Sequence, residues 1–125
     1  MLAIKSDQHE YFELAVYNKV VSKSKFHVPV GTMADKLILH FIDFLKVNHI
    51  DVDDIKKIIV YSGPGSYTSL RIGIAFANTF ALVKDIPIYT YIGDKDICSV
   101  FEEVATSPEI HFSKPVDAYY QQPIE

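Results

Sequence analysis

Along this chain apolar residues recur first at every second position and later at every third or fourth. The change of period marks where strands give way to helices. Leu2-Ala3-Ile4 reads as a short buried strand, followed by the polar turn Asp7-Gln8-His9-Glu10. Over residues 11–17, Phe12, Leu14 and Val16 alternate with Glu13, the pattern of a half-buried strand. Asn18-Lys19 fits a tight hairpin turn, with Asn18 as the residue that tolerates positive φ. Residues 20–28 give a third strand with Ser22 to Lys25 exposed, so the chain opens with a three-stranded antiparallel meander.

Pro29-Val30-Gly31 breaks that pattern, and Thr32 is placed to cap a helix over residues 33–48. Its stripe is Met33, Leu37, Phe41, Phe44 and Leu45, widened by Ile38, Leu39 and Ile42. A helix resting only on its own sheet needs a narrower stripe, which leaves room for a second contact, with the chain's own tail or with a partner. Asp51-Val52-Asp53-Asp54 is a polar turn, and residues 57–61 form a continuous apolar strand of the kind found inside parallel sheets. A glycine-rich turn, a helix over 68–84 and a strand over 86–92 follow, with Pro87 at the strand's start, where a missing donor is tolerated. Strand, helix and strand at this spacing imply a right-handed crossover and a parallel pair. A short helix over 95–104 ends the regular pattern, and Pro108, Pro115 and Pro123 argue against long elements beyond it. The order is β-β-β-α-β-α-β-α: an α/β fold with a mixed sheet of about five strands and flanking helices.

Length and composition narrow the classes. A chain of 125 residues, 49% hydrophobic and 22% charged, is one globular domain. No apolar run reaches the ~18 residues of a membrane span, and the start Met1-Leu2-Ala3-Ile4-Lys5 is too short and strand-like for a signal peptide. One cysteine, Cys98, allows no intrachain disulfide, so a cytoplasmic protein is expected. A net charge of −4 argues against a free-standing nucleic-acid binder, although a local basic patch is compatible with it.

The densest chemistry lies at Ser62-Gly63-Pro64-Gly65-Ser66-Tyr67-Thr68, between a strand and a helix. Gly63 and Gly65 permit backbone angles closed to other residues, Pro64 stiffens the turn, and Ser66 or Thr68 can cap the helix. Two readings are open: an anion site on backbone N–H groups, or a well-capped strand-to-helix turn. The loop lacks the lysine of a G-x-x-x-x-G-K-[ST] nucleotide loop and does not match G-x-G-x-x-G. In the helix, Ser69, Gly73, Ala77 and Ala81 form a ridge of small residues four apart, flanked by Leu70, Ile74, Phe76 and Phe80. Arg71, Asn78 and Lys84 mark its polar side. So apolar a helix should be buried on two sides, one being its own sheet and the other the 33–48 helix, a partner, or both.

The run Gly63-Pro64-Gly65-Ser66-Tyr67-Thr68-x-Leu70-Arg71-Ile72-Gly73 resembles the signature of TsaB-like (YeaZ-type) proteins of the actin/sugar-kinase/Hsp70-like superfamily. The resemblance extends over roughly residues 1–105. It implies a single actin-like (ribonuclease H-like) lobe over residues 1–106, with residues 107–125 as a tail. By the same resemblance the chain would be a non-catalytic partner of a TsaD-like subunit in making threonylcarbamoyladenosine (t6A) at adenosine 37 of transfer RNA. A TsaE-like ATPase would join the assembled complex, and no cofactor or metal is expected. The pairing helices would present Met33, Leu37, Phe41, Phe44, Tyr67, Leu70, Arg71, Gly73, Ile74, Ala77, Asn78 and Ala81, and Ala77→Arg is expected to abolish pairing. Contact with transfer RNA would be indirect or absent.

Three departures qualify the resemblance. Family members begin with a strand ending in Asp-Thr-(Ser/Ala); here Ile4-Lys5-Ser6 stands there, putting Lys5 where active superfamily members hold metal and phosphates. The chain is about half the usual length, so the second lobe is missing or reduced to the tail. Ser69 replaces the usual glycine after Thr68. The rival readings are a self-associating module of the same superfamily, dimeric when alone, and a nucleotide-binding protein using the Gly63–Gly65 loop. His9, His27, His40, His49 and His111 show no i, i+4 pair for a metal, and Asp51, Asp53 and Asp54 lack a full calcium-loop pattern. Cys98 reads as a small buried residue, and Tyr119-Tyr120 more readily covers a core than stacks on a base.

Overall fold

Alternation and turn chemistry build the first three strands. A computed structural model of the protein describes residues 1–93 and 96–105. β1 (Leu2–Lys5), β2 (Tyr11–Asn18) and β3 (Val20–His27) form the expected antiparallel meander, with Ile4 opposite Leu14 and Phe12 opposite Phe26. Asn18 pairs with Val20, which leaves Lys19 alone at the hairpin tip with φ 68°. The positive φ therefore falls on Lys19, not on Asn18: the pairing register, rather than residue preference, decides it.

α1 (Met33–Val47), β4 (Ile58–Tyr61), α2 (Tyr67–Lys84) and β5 (Ile88–Tyr91) complete a five-stranded sheet in the order β3-β2-β1-β4-β5. β4 runs parallel to both β1 and β5, as a strand-helix-strand crossover requires. Thr32 does not cap α1 with its side chain; its hydroxyl donates instead to the Pro29 carbonyl at 2.6 Å. Asp51-Val52-Asp53-Asp54 closes as a 3-10 turn with a capping box between Asp51 and Asp54. The final helix is a 3-10 turn at Ile97–Ser99 running into α3 (Val100–Ala105). The expected tail of residues 107–125, with Pro108, His111, Pro115, Tyr119, Tyr120 and Pro123, lies outside the described residues, as does Lys95.

The strands separate two layers of helix. Leu2, Ile4, Leu14, Val16, Ile58 and Val60 are cross-strand neighbours on the face that α1 and α2 cover. On the opposite face Ala3, Ala15, Ile59 and Tyr89 lie under Ile97, Val100, Phe101 and Val104, all buried. β1 is apolar and enclosed on both sides, which accounts for its unbroken Leu2-Ala3-Ile4 run. The face of α1 and α2 that does not touch the sheet is the one left open.

Candidate functional site

Each bond around the glycine loop ties it to a neighbouring element. The Ser62 N–H donates to the Tyr91 carbonyl (2.9 Å), and the Gly93 N–H donates to that of Gly63 (3.0 Å). The Tyr61 hydroxyl donates to the Pro64 carbonyl at 2.7 Å, and the Ser66 N–H to the Asp7 carbonyl at 2.9 Å. Gly63 sits at φ 127°, where a side chain is strained, and the Gly63-Pro64 peptide is cis. At Gly65 an added Cβ would lie 2.7 Å from the Asp7 Cβ and 2.9 Å from its carbonyl oxygen. Ser66, in extended conformation, accepts from the Ser69 N–H and caps α2, while Thr68 lies within the helix. The Ser66 hydroxyl also stands 3.2 Å from His9 Nδ1. The loop is thus a capped turn clamped onto the β1–β2 connection. Asp7, whose backbone and Cβ crowd Gly65, adds a negative charge near the loop, a sign that disfavours an anion there.

The helices show two distinct faces. Met33, Leu37, Phe41 and Phe44 of α1, and Leu70, Gly73, Ile74, Ala77 and Ala81 of α2, all face inward and are buried within this chain. The small ridge of α2 lies on the sheet. A Cβ on Gly73 would come 2.1 Å from the Ser6 hydroxyl, which donates to the Ser69 carbonyl at 2.9 Å. The ridge therefore serves close packing on β1. Phe76 and Phe80 meet Phe41 edge-on at 5.1 and 5.6 Å, so α1 supplies part of the second burial that α2 needs. Tyr67 and Arg71 point outward, and Asn78 is half-buried.

Several large apolar side chains remain outside, among charged ones such as Lys36, Asp43 and Arg71. Ile38 is 53% exposed, Leu39 56%, Leu82 61% and Val83 74%. Between the two helices runs an open groove of about 640 Å³, lined on one side by Ala34 and Ile38 and on the other by Arg71, Ile72, Ala75 and Thr79. Arg71 donates to the Tyr67 hydroxyl at 2.6 Å, with its guanidinium 5.2 Å from that ring's centre. Leu37, Tyr67 and Arg71 of the pairing set that the sequence motif implies also line the groove, whereas Ala34, Ile38, Ile72, Ala75 and Thr79 lie outside that set. Arg71, Ala75, Thr79 and Val83 are spaced four apart just as the buried ridge is, so spacing alone does not say which ridge meets the sheet.

Elsewhere the polar side chains have structural employment. The Lys5 ammonium lies 4.9 Å over the Tyr61 ring at the end of β1. Lys23 pairs with Glu13 at 3.9 Å and Asp96 at 3.6 Å. The Cys98 N–H bond, then Lys23, holds the Asp96 carboxyl below its ordinary range. Asp53 pairs with Lys84, which lowers its carboxyl likewise. Burial, reinforced by Asp96, pushes the Cys98 thiol up, the opposite of an activated nucleophile. Among the described residues no group of three or more His, Cys, Asp or Glu side chains could hold a metal ion, and no helix is long and apolar enough to cross a membrane.

The family described as "TsaD: tRNA N6-adenosine threonylcarbamoyltransferase" matches residues 34–91, the stretch from α1 to β5. The Bacillus subtilis (strain 168) tRNA threonylcarbamoyladenosine biosynthesis protein TsaB is 41% identical over an alignment of 70 residues, which takes in 43% of this chain and 31% of the relative. Two solved structures share the fold at 21% identity, covering 73% of this chain and 42% of theirs. They are YeaZ from Pseudomonas aeruginosa, with a TM-score of 0.66, and an uncharacterized protein described as similar to peptidase YEAZ from Pseudomonas aeruginosa, at 0.67. The matches thus span less than half the length of each relative. In its motif the chain is similar to the Bacillus subtilis TsaB protein, and in its fold to the YeaZ structures, over part of their length.

Proposed function

We propose that this chain is a non-catalytic partner of a TsaD-like subunit in forming threonylcarbamoyladenosine at adenosine 37 of transfer RNA, in the cytoplasm. It docks by the outward face of α1 and α2. The observation that carries this reading is the exposed apolar groove between those helices, on the stretch that matches the TsaD family. A contiguous apolar face of this kind is what an obligate or frequent partner covers. The non-catalytic part rests on Lys5, which stands at the end of β1 with its ammonium on the Tyr61 ring. A cation there repels the metal that an active relative would hold at an aspartate. A TsaE-like ATPase completes the assembly in this reading, and a homodimer through the same face is the resting form of the free chain.

The sequence-based test residue moves with the geometry. Ala77 is 0% exposed, so Ala77→Arg damages folding before it can report on pairing. Ala75, exposed on the groove, is the informative site. In a strain lacking this chain, the wild-type gene should restore threonylcarbamoyladenosine in transfer RNA, while Ala75→Arg should not, although the variant protein melts like wild type. Unchanged threonylcarbamoyladenosine in the strain without the chain would remove the proposal.

A further inference from the structure

Among the described residues Arg71 is the one charged residue lining the groove. Its guanidinium carries five N–H donors, and the Tyr67 hydroxyl takes one of them. Among the described residues no carboxylate stands within ion-pair distance of it. It lies near the N-terminal end of α2, where a cation gains nothing from the helix dipole. Tyr67, one turn earlier, holds the guanidinium over its ring and so fixes its direction. A partner that covered this groove with apolar surface alone would strip water from an unpaired guanidinium, at a cost no apolar contact of that size repays.

We infer that the protein docking on this face brings an Asp or Glu carboxylate to Arg71, in bidentate contact, with Tyr67 as the positioning residue. This rests on the reading of the face as the docking surface for a TsaD-like subunit. A nucleic-acid phosphate is the poorer fit. Such a surface gathers several cations, whereas the other groove residues are uncharged and the chain is net −4.

The test is titration of the purified chain with the TsaD-like protein of the same genome, at low and at high salt. Wild type should bind, more weakly as salt rises. Arg71→Gln should bind about tenfold more weakly or worse, with a flatter salt dependence. Arg71→Lys should fall between, because it keeps the charge and loses the fork. Tyr67→Phe should weaken binding less, while leaving its salt dependence in place. Arg71 is exposed, so Arg71→Gln should keep the wild-type melting curve. Arg71→Gln binding like wild type, with the same salt dependence, overturns the inference and leaves the docking reading intact. No binding by wild type overturns both. An Arg71→Gln effect confined to self-association, or to binding of a short RNA, assigns the arginine to another occupant and overturns it too.

Discussion

At the residue scale, Gly73 and Ser6 form one packing unit. The helix is drawn so close to β1 that the Ser6 hydroxyl occupies the space a Cβ would fill. Gly73→Ala should therefore destabilise the fold by about 1–3 kcal/mol, because overpacking outweighs the gain in helix propensity of up to ~1 kcal/mol. Urea unfolding measures it. Ser6→Ala in the same chain removes the atom at 2.1 Å and leaves the Ser6 Cβ at 3.1 Å, so the double variant should recover part of the loss. Equal additive losses would separate the two residues. Tyr91 gives a second prediction. Its hydroxyl is buried without a hydrogen-bond partner among the described residues, and burial, ahead of Glu13, raises its ionisation well above the ordinary tyrosine range. The unfolded chain ionises at the ordinary value of about 10 and the folded one later, so this contribution to stability is present below about pH 10 and lost as pH rises beyond it. Tyr91→Phe should remove that alkaline loss and stabilise the neutral-pH fold by up to about 1–2 kcal/mol. A variant that loses stability instead would show that the hydroxyl has a partner.

At the scale of elements, α2 divides its two four-spaced ridges between the sheet and the groove. Ala77→Arg should lower the melting temperature sharply or prevent folding, since it places a charge in the core. Ala75→Arg should leave melting within about 0.5 kcal/mol of wild type and remove only association. Circular dichroism separates the two, and similar melts for both would reverse the assignment of faces. The order of elements was legible from hydrophobic period alone, because strands and helices of this amphipathicity leave distinct spacings. Which ridge meets the sheet was not. Ser69, Gly73, Ala77 and Ala81 share their spacing with Arg71, Ala75, Thr79 and Val83, and only the approach of β1, with Ser6 in the way, distinguishes them. The same limit applies at Lys19, where the pairing of Asn18 with Val20 fixes the turn, and at Asp7, whose contact with Gly65 joins residues far apart in sequence. The surplus width of the α1 stripe did point outward. Ile38, Leu39 and Ile42 were apolar beyond what one contact requires, and they are the residues left exposed.

At the scale of the molecule, the described residues form a sheet with a complete helical layer on one side and a short one on the other. The core is closed on both faces of β1. The open surface is the outer face of α1 and α2, and the glycine loop acts on it indirectly: by clamping the start of α2 to the β1–β2 turn, it sets the angle at which that face is presented. Gly65→Ala should shift this clamp, because the new Cβ meets Asp7 backbone atoms that have little room to yield, and should weaken association as well as stability. The most direct test of the account is native mass determination after co-purification of the chain with the TsaD-like protein of the same genome. A stable hetero-complex is expected with wild type, and Ala75→Arg should disperse it. Separate elution of the two wild-type proteins would contradict the proposed pairing.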